Sequence, residues 1–174
     1  MPDPRYPIGA FVPDQNPTPE SRARHIEQIA GLPQKLRAAS SGLSVQQLET
    51  PYREGGWSLR QVAHHVPDSH LNAYVRFKLA LTESVPTIKP YDESAWARLK
   101  DSEQTPIEVS LALLDGLHQR WVVLLKSMQP EDFHRKLNHP ESGVQNLDRV
   151  LALYSWHGNH HLAHITTTRE RMKW

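Results

Sequence analysis

The chain has 174 residues, 38% of them hydrophobic, with 20 lysines and arginines set against 19 aspartates and glutamates. It can enclose one substantial core, and its net charge of +1 gives no reason to expect nucleic acid or an acidic membrane surface as a partner. No apolar run approaches the length of a bilayer span, the opening Met1-Pro2-Asp3-Pro4-Arg5-Tyr6-Pro7 lacks a signal-peptide core, and a cytoplasmic location is expected. The absence of cysteine excludes disulfides, a cysteine-ligated zinc and a protein thiol nucleophile, so any thiol chemistry must use a thiol that arrives with the substrate.

Residues 1–17 are proline-rich without helical periodicity and read as an extended arm along the surface of a single domain. Thr18 then caps a first long helix with Pro19 at its first position, and Ile26, Ile29, Ala30, Leu32 and Leu36 carry the apolar spacing to about Ala39, with a bend expected at Pro33. Ser44-Val45-Gln46-Gln47 is a capping-box pattern for a short turn of helix before Pro51. Ser58, with Gln61 three residues on, opens a second long helix through Val62, Val66, Ala73, Phe77 and Leu81.

A loop from about Glu83 to Ser102 follows, with a short helix around Ser94 to Leu99. Thr105 as cap, Pro106 at the first position and Glu108 in the first turn then begin a third long helix, whose apolar face is Leu111, Leu114, Leu117, Trp121, Leu124 and Leu125. After a polar stretch that includes Asn138-His139-Pro140-Glu141-Ser142-Gly143, Asn146 caps a last helix to about Met172. Four long helices with little strand-like alternation predict an all-α four-helix bundle, a fold that builds metal sites from inward side chains of neighbouring helices.

Histidine is the residue that stands out. His64, His65 and His70 lie early in the second long helix, and His157, His160, His161 and His164 lie in the last one. Residues four apart on a helix share a face about 6 Å apart along its axis, which suits two ligands of one ion, and both His157/His161 and His160/His164 have that spacing. Helix phase separates the two pairs. Leu147, Val150, Leu151 and Tyr154 mark the inward stripe, and continuing their spacing lands on His157, His161 and Ile165, whereas His160/His164 shares its face with Arg149 and stays an open alternative. In the second helix His65 follows Gln61 and Val62, while His64 lies on the other side of that seam.

Taken singly, each histidine reads as a surface residue or a hydrogen-bonded core residue. An i,i+4 pair on an apolar face together with a doublet on a second helix reads as a metal site. Trp57 and Trp156 read as core or pocket wall, and Arg76 and Lys78 as solvated helix surface.

The segments Tyr6-Pro7-Ile8-Gly9, Tyr52-Arg53-Glu54-Gly55-Gly56-Trp57-Ser58, His64 to Leu81, Ile88-Lys89-Pro90-Tyr91-Asp92 with Trp96, and Trp156 to Ile165 together resemble the YfiT branch of the DinB superfamily over essentially the whole chain. The resemblance implies a four-helix bundle, commonly a homodimer, with one divalent ion per chain, zinc or nickel, on three histidines. It also implies an activity described either as metal-dependent hydrolysis or, in bacillithiol-producing bacteria, as bacillithiol S-transfer. Carried over by position, the ligands fall on His65, His157 and His161, the set that helix phase also selects. Where the family usually reads His-His-Leu-Ala-Asp, this chain reads His64-His65-Val66-Pro67-Asp68, and a kink is expected just beyond His65.

Three histidines without a fourth protein ligand describe an open metal site. The last helix lacks the glutamate of a zinc-protease His-Glu-x-x-His pattern, which leans the reading toward a transferase that adds a low-molecular-weight thiol, bacillithiol-like, to an electrophilic small molecule. A hydrolase using metal-bound hydroxide is the competing enzyme reading, and a non-catalytic metal-binding dimerisation module is the third. Asp68 is the candidate for orienting a ligand imidazole or handling a proton, with Glu54 a second carboxylate that folding could bring near.

Overall fold

The structure, a computed structural model, describes residues 3–174; Met1 and Pro2, the first residues of the expected arm, lie outside them. The elements are α1 (Pro19–Ser40), α2 (Val45–Leu48), α3 (Leu59–Thr82), α4 (Glu93–Trp96), α5 (Lys100–Gln104), α6 (Ile107–Ser127), a 3-10 turn (Asp132–His134), β1 (Lys136–His139), β2 (Gly143–Asn146) and α7 (Leu147–Met172). Four of these, α1, α3, α6 and α7, form the bundle. Each of α1 and α3 packs on both α6 and α7, so α1 and α3 sit diagonally, as do α6 and α7. That arrangement lays α3 against α7 and brings together histidines about ninety positions apart in the chain.

Local chemistry explains the helix starts. Thr18, Ser44 and Ser58 each accept a hydrogen bond from the backbone N–H three residues on, and Ser21, Gln47 and Gln61 bond back to the cap, satisfying donors that a helix start otherwise leaves unpaired. Asn146 caps α7 in the same way through the N–H of Arg149 at 3.0 Å. The third long helix departs from expectation: Pro106 is its cap residue and Ile107 its first helical residue, without a side-chain cap. The Thr105 carbonyl instead meets His64 Nε2 at 3.1 Å. Both Pro33 and Pro67 lie inside helices that run on past them.

Two further departures are the hairpin and the region before α6. The polar stretch after α6 pairs as an antiparallel β1–β2 ribbon, with Lys136 opposite Asn146 and His139 opposite Gly143; Gly143 takes a φ of 76°, which favours glycine. Leu137 is the ribbon's anchor in the core. In place of the single expected short helix there are two, α4 and α5. The core runs the length of the bundle in two clusters. Phe77, Trp121, Leu125, Leu147 and Leu151 build one, and Leu32, Leu36, Leu59, Val62, Leu114 and Ile165 the other.

A bidentate ion pair, buried on its carboxylate side, ties α1 to the start of α7: Arg22 Nε and Nη2 donate to Asp148 Oδ1 and Oδ2 at 2.7 and 2.8 Å. Gly158 permits the close approach of the same two helices beside the histidines. A Cβ there would lie 2.4 Å from Leu32 Cδ2 and 3.3 Å from His70 Cε1. Among the described residues, no helix is long and apolar enough to cross a membrane.

Candidate metal centre

His65 on α3 and His157 and His161 on α7 converge between the two helices, each offering one nitrogen, and these nitrogens lie within 4.8 Å of one another. His65 Nε2 and His157 Nε2 are 3.2 Å apart. Two nitrogens each about 2.0–2.1 Å from a tetrahedral zinc would stand roughly 3.3 Å apart, so the spacing fits one ion with little movement. The rings meet at steep angles, 66° for His65 on His161 and 67° for His157 on His161, rather than stacking. Pro67 thus leaves His65 within reach of the α7 pair.

Electrostatics agree with the donor chemistry. Burial, with a smaller contribution from His160, pushes His65 down from the ordinary value of 6.5 to about 4. Burial first, and then the neighbouring histidines, hold His157 and His161 well below that ordinary value. All three rings are therefore neutral near pH 7 with a lone pair to offer, the state a metal requires of imidazole. Charged, the same three rings would repel one another.

The triad opens on a cavity of about 420 Å³, whose walls include Tyr52, Arg53, Trp57, Glu93, Trp156 and His160. Trp57 and Trp156 are pocket wall, as expected. The arm covers α7 beside it: the Trp156 indole N–H donates to the Gly9 carbonyl at 3.2 Å, and Phe11 packs on the same ring. A larger cavity, about 560 Å³ between the arm, α1 and α7, shares Trp156 but includes no member of the triad, so the chemistry of interest belongs to the smaller one.

Four further histidines, His70, His118, His160 and His164, surround the triad. His157 Nδ1 meets His70 Nε2 at 3.3 Å, His70 Nδ1 meets His118 Nε2 at 2.9 Å, and His118 Nδ1 lies 2.7 Å from the Ile29 carbonyl. On the other side His161 Nδ1 is 3.4 Å from His164 Nδ1, and Tyr52 stacks on the His164 ring at 4.0 Å. The alternative pair thus stands behind or beside the first: His164 backs His161, and His160 stacks on Trp156 at 4.5 Å. His64 faces away, with Nδ1 2.7 Å from Ser110 Oγ on α6.

Several expectations from sequence need correcting. The Asp68 carboxylate makes no hydrogen bond to a histidine among the described residues and is not part of the cavity wall; burial, and then the charge of Asp101, pushes it up to about 6. Glu54 is not part of that wall either; the carboxylate that is belongs to Glu93, at the first position of α4 and held above its ordinary range chiefly by burial. Arg76 is not simply solvated, because it donates to the Tyr154 hydroxyl at 3.0 Å. His118, on the apolar stripe of α6, was not among the residues that sequence singled out.

Residues 28–165 match the DinB superfamily, which is well over half of the chain. The chain belongs to the DinB superfamily. A Bacillus mycoides relative named a putative metal-dependent hydrolase is 54% identical over 174 residues, with 100% of each chain covered. A Bacillus cereus relative of the same description is 53% identical over the same span. Among solved structures, YfiT from Bacillus subtilis, described as a probable metal-dependent hydrolase with an unusual four-helix bundle topology, superposes with a TM-score of 0.96 at 46% identity over 98% of each chain. TT2238, a four-helix bundle protein, aligns with a TM-score of 0.56 at 20% identity, over 81% of this chain and 94% of its own, and shares the fold. Like these relatives, the chain is built on a four-helix bundle, and it carries a three-histidine group that could hold a metal ion.

Proposed function

We propose that this DinB protein is a metal-dependent S-transferase in which His65, His157 and His161 hold one zinc or nickel ion and a low-molecular-weight thiol, such as bacillithiol, is joined to an electrophilic small molecule. The observation that carries the reading is the triad itself: three neutral imidazole nitrogens converging in the lining of a cavity, with no carboxylate among them. Imidazole suits both metals. A bound divalent ion supplies undiminished positive charge, which favours the deprotonated form of a thiol at neutral pH. The chain contributes no thiol of its own, so the sulfur must enter with the substrate.

The protein's own groups do the rest. A cavity of about 420 Å³ matches a small thiol and a small electrophile, and Tyr52, Trp57 and Trp156 give it aromatic walls. The Arg53 guanidinium, in the same wall, is positioned to pair with an anionic group of the thiol, and one of its buried nitrogens has no protein partner.

Glu93 supports a second reading. A carboxylate in the cavity wall whose protonated form is favoured by burial can accept a proton from water, as hydrolysis requires, and the relatives are named as hydrolases.

Elemental analysis of tag-free protein beside a His157→Ala/His161→Ala variant tests the site. The expected result is about one zinc or nickel per chain in the parent and little in the variant; equal metal in both would sink the ligand assignment. Metal-loaded protein should then consume thiol in the presence of monochlorobimane. Release of acid from esters or amides without thiol, abolished by Glu93→Gln, would favour hydrolysis instead.

A further inference from the structure

Behind His157 stands a line of hydrogen bonds that takes one residue from each bundle helix: His157 from α7, His70 from α3, His118 from α6 and the Ile29 carbonyl from α1. His70 is fully buried, and His118 and Ile29 are nearly so. The order of donors along this line is forced from its far end. A carbonyl only accepts, so His118 carries its proton on Nδ1 and donates it to Ile29. A neutral imidazole has one N–H, so His118 Nε2 is an acceptor and His70 must donate to it from Nδ1. His70 Nε2 is then an acceptor in turn, and the N–H it receives is that of His157 Nδ1. By elimination the remaining nitrogen of His157, Nε2, carries the lone pair; it faces His65 Nε2 at 3.2 Å, with the Ser69 hydroxyl 3.4 Å away.

We propose that His70 and His118 are positioning residues that lock His157 in its Nδ1–H tautomer and aim its Nε2 lone pair at the ion. This rests on the reading of the triad as a metal site. Ligating histidines ordinarily donate their second ring nitrogen to an acceptor that fixes ring orientation and tautomer. Here that acceptor is another imidazole rather than a carboxylate, so the outer layer adds no negative charge and leaves the ion's charge undiminished. The line ends on a carbonyl inside the bundle, so it orients the ligand and does not carry protons to solvent. Trp121 and Tyr154 meet His70 edge-on at 5.7 and 5.4 Å, which holds the middle ring in place.

The test has two parts. Long-range proton–nitrogen NMR of ¹⁵N-histidine-labelled, metal-stripped parent protein at pH 7.5 reads each tautomer directly. Protons on Nδ1 of His118, His70 and His157 are expected; a proton on Nε2 of His157 would overturn the proposal. Zinc competition titrations then compare the parent with His118→Phe, which removes the acceptor for His70, and with His118→Gln, whose amide oxygen restores one. Weakening of about 10- to 100-fold in the phenylalanine variant is expected from the usual effect of losing such a partner, with most of the affinity returned by glutamine. Equal zinc affinity in a folded His118→Phe protein would overturn the positioning role. If the phenylalanine variant does not fold, the parent's tautomers and the glutamine variant still decide. A parent that binds neither zinc nor nickel overturns the metal reading itself, a failure separable from a wrong tautomer pattern.

Discussion

Acid should unfold this protein through its buried histidines, and His118 allows the size of the effect to be worked out. Burial pushes it down from 6.5 to about 4, against the opposing pull of its bond to the Ile29 carbonyl and the charge of Asp115. Between those two values the unfolded chain binds a proton at this position that the folded protein refuses, so stability rises with pH across the window. The contribution is complete above pH 6.5, is lost as pH falls, and levels off below about pH 4. At 1.36 kcal/mol per pH unit, moving from pH 6.5 to pH 5 removes about 2 kcal/mol through this one side chain. His70, His157 and His161 are lowered in the same direction and add to the loss. Asp68, pushed up to about 6, has the opposite sign and partly offsets it between pH 6 and 3.8, weakly because its carboxyl is half-solvated. Urea denaturation of metal-stripped parent and of His118→Phe, at pH 7.5 and at pH 5, measures the difference. The parent should lose at least about 2 kcal/mol between the two conditions, and the variant about 2 kcal/mol less than the parent. A parent whose stability is flat over that range, or a variant with the parent's slope, would refute the assignment of acid sensitivity to this group.

Two further perturbations probe what holds α1 on α7. Asp148→Ala leaves the partly buried Arg22 guanidinium, over the Phe133 ring at 4.7 Å, without its carboxylate partner, and should cost about 2–3 kcal/mol in urea unfolding, less than a fully buried pair because water still reaches the arginine. Replacing both partners by apolar residues of similar volume should recover most of that loss, and a single variant costing under about 1 kcal/mol would contradict the picture of a buried, interdependent pair. Gly158→Val adds side-chain atoms where even a Cβ would lie 2.4 Å from Leu32 Cδ2, so overpacking of about 1–3 kcal/mol should outweigh the small gain in helix propensity. Because the nearest atom after Leu32 is His70 Cε1, the variant should also bind zinc more weakly. A valine protein with the parent's melting temperature and zinc affinity would show that the helices do not meet as closely as described.

How much of the site could be read in advance depended on how local its determinants are. The caps at Thr18, Ser58 and Asn146 involve bonds within four residues, and their side-chain types announce them. The His157/His161 pair was legible because the stripe Leu147, Val150, Leu151, Tyr154 sets the phase of one long helix, and extending that phase requires no tertiary information. His65 was legible for the same reason on α3. His118 was not: one histidine beside Leu114, Leu117 and Trp121 resembles any satisfied core residue, and its partners Ile29 and His70 are 89 and 48 positions away. Glu93 was hidden in a connection whose helices are four and five residues long, too short to show a period. The β-ribbon escaped for a related reason, since four-residue strands with Leu137 as their one fully buried apolar residue carry no alternation. The outer layer is the more informative case. A histidine on an inward stripe has a recognisable helix phase, but the residue its second nitrogen meets can sit on any helix that packs against it, so chain pattern locates the converging nitrogens while only the packed bundle reveals their partners.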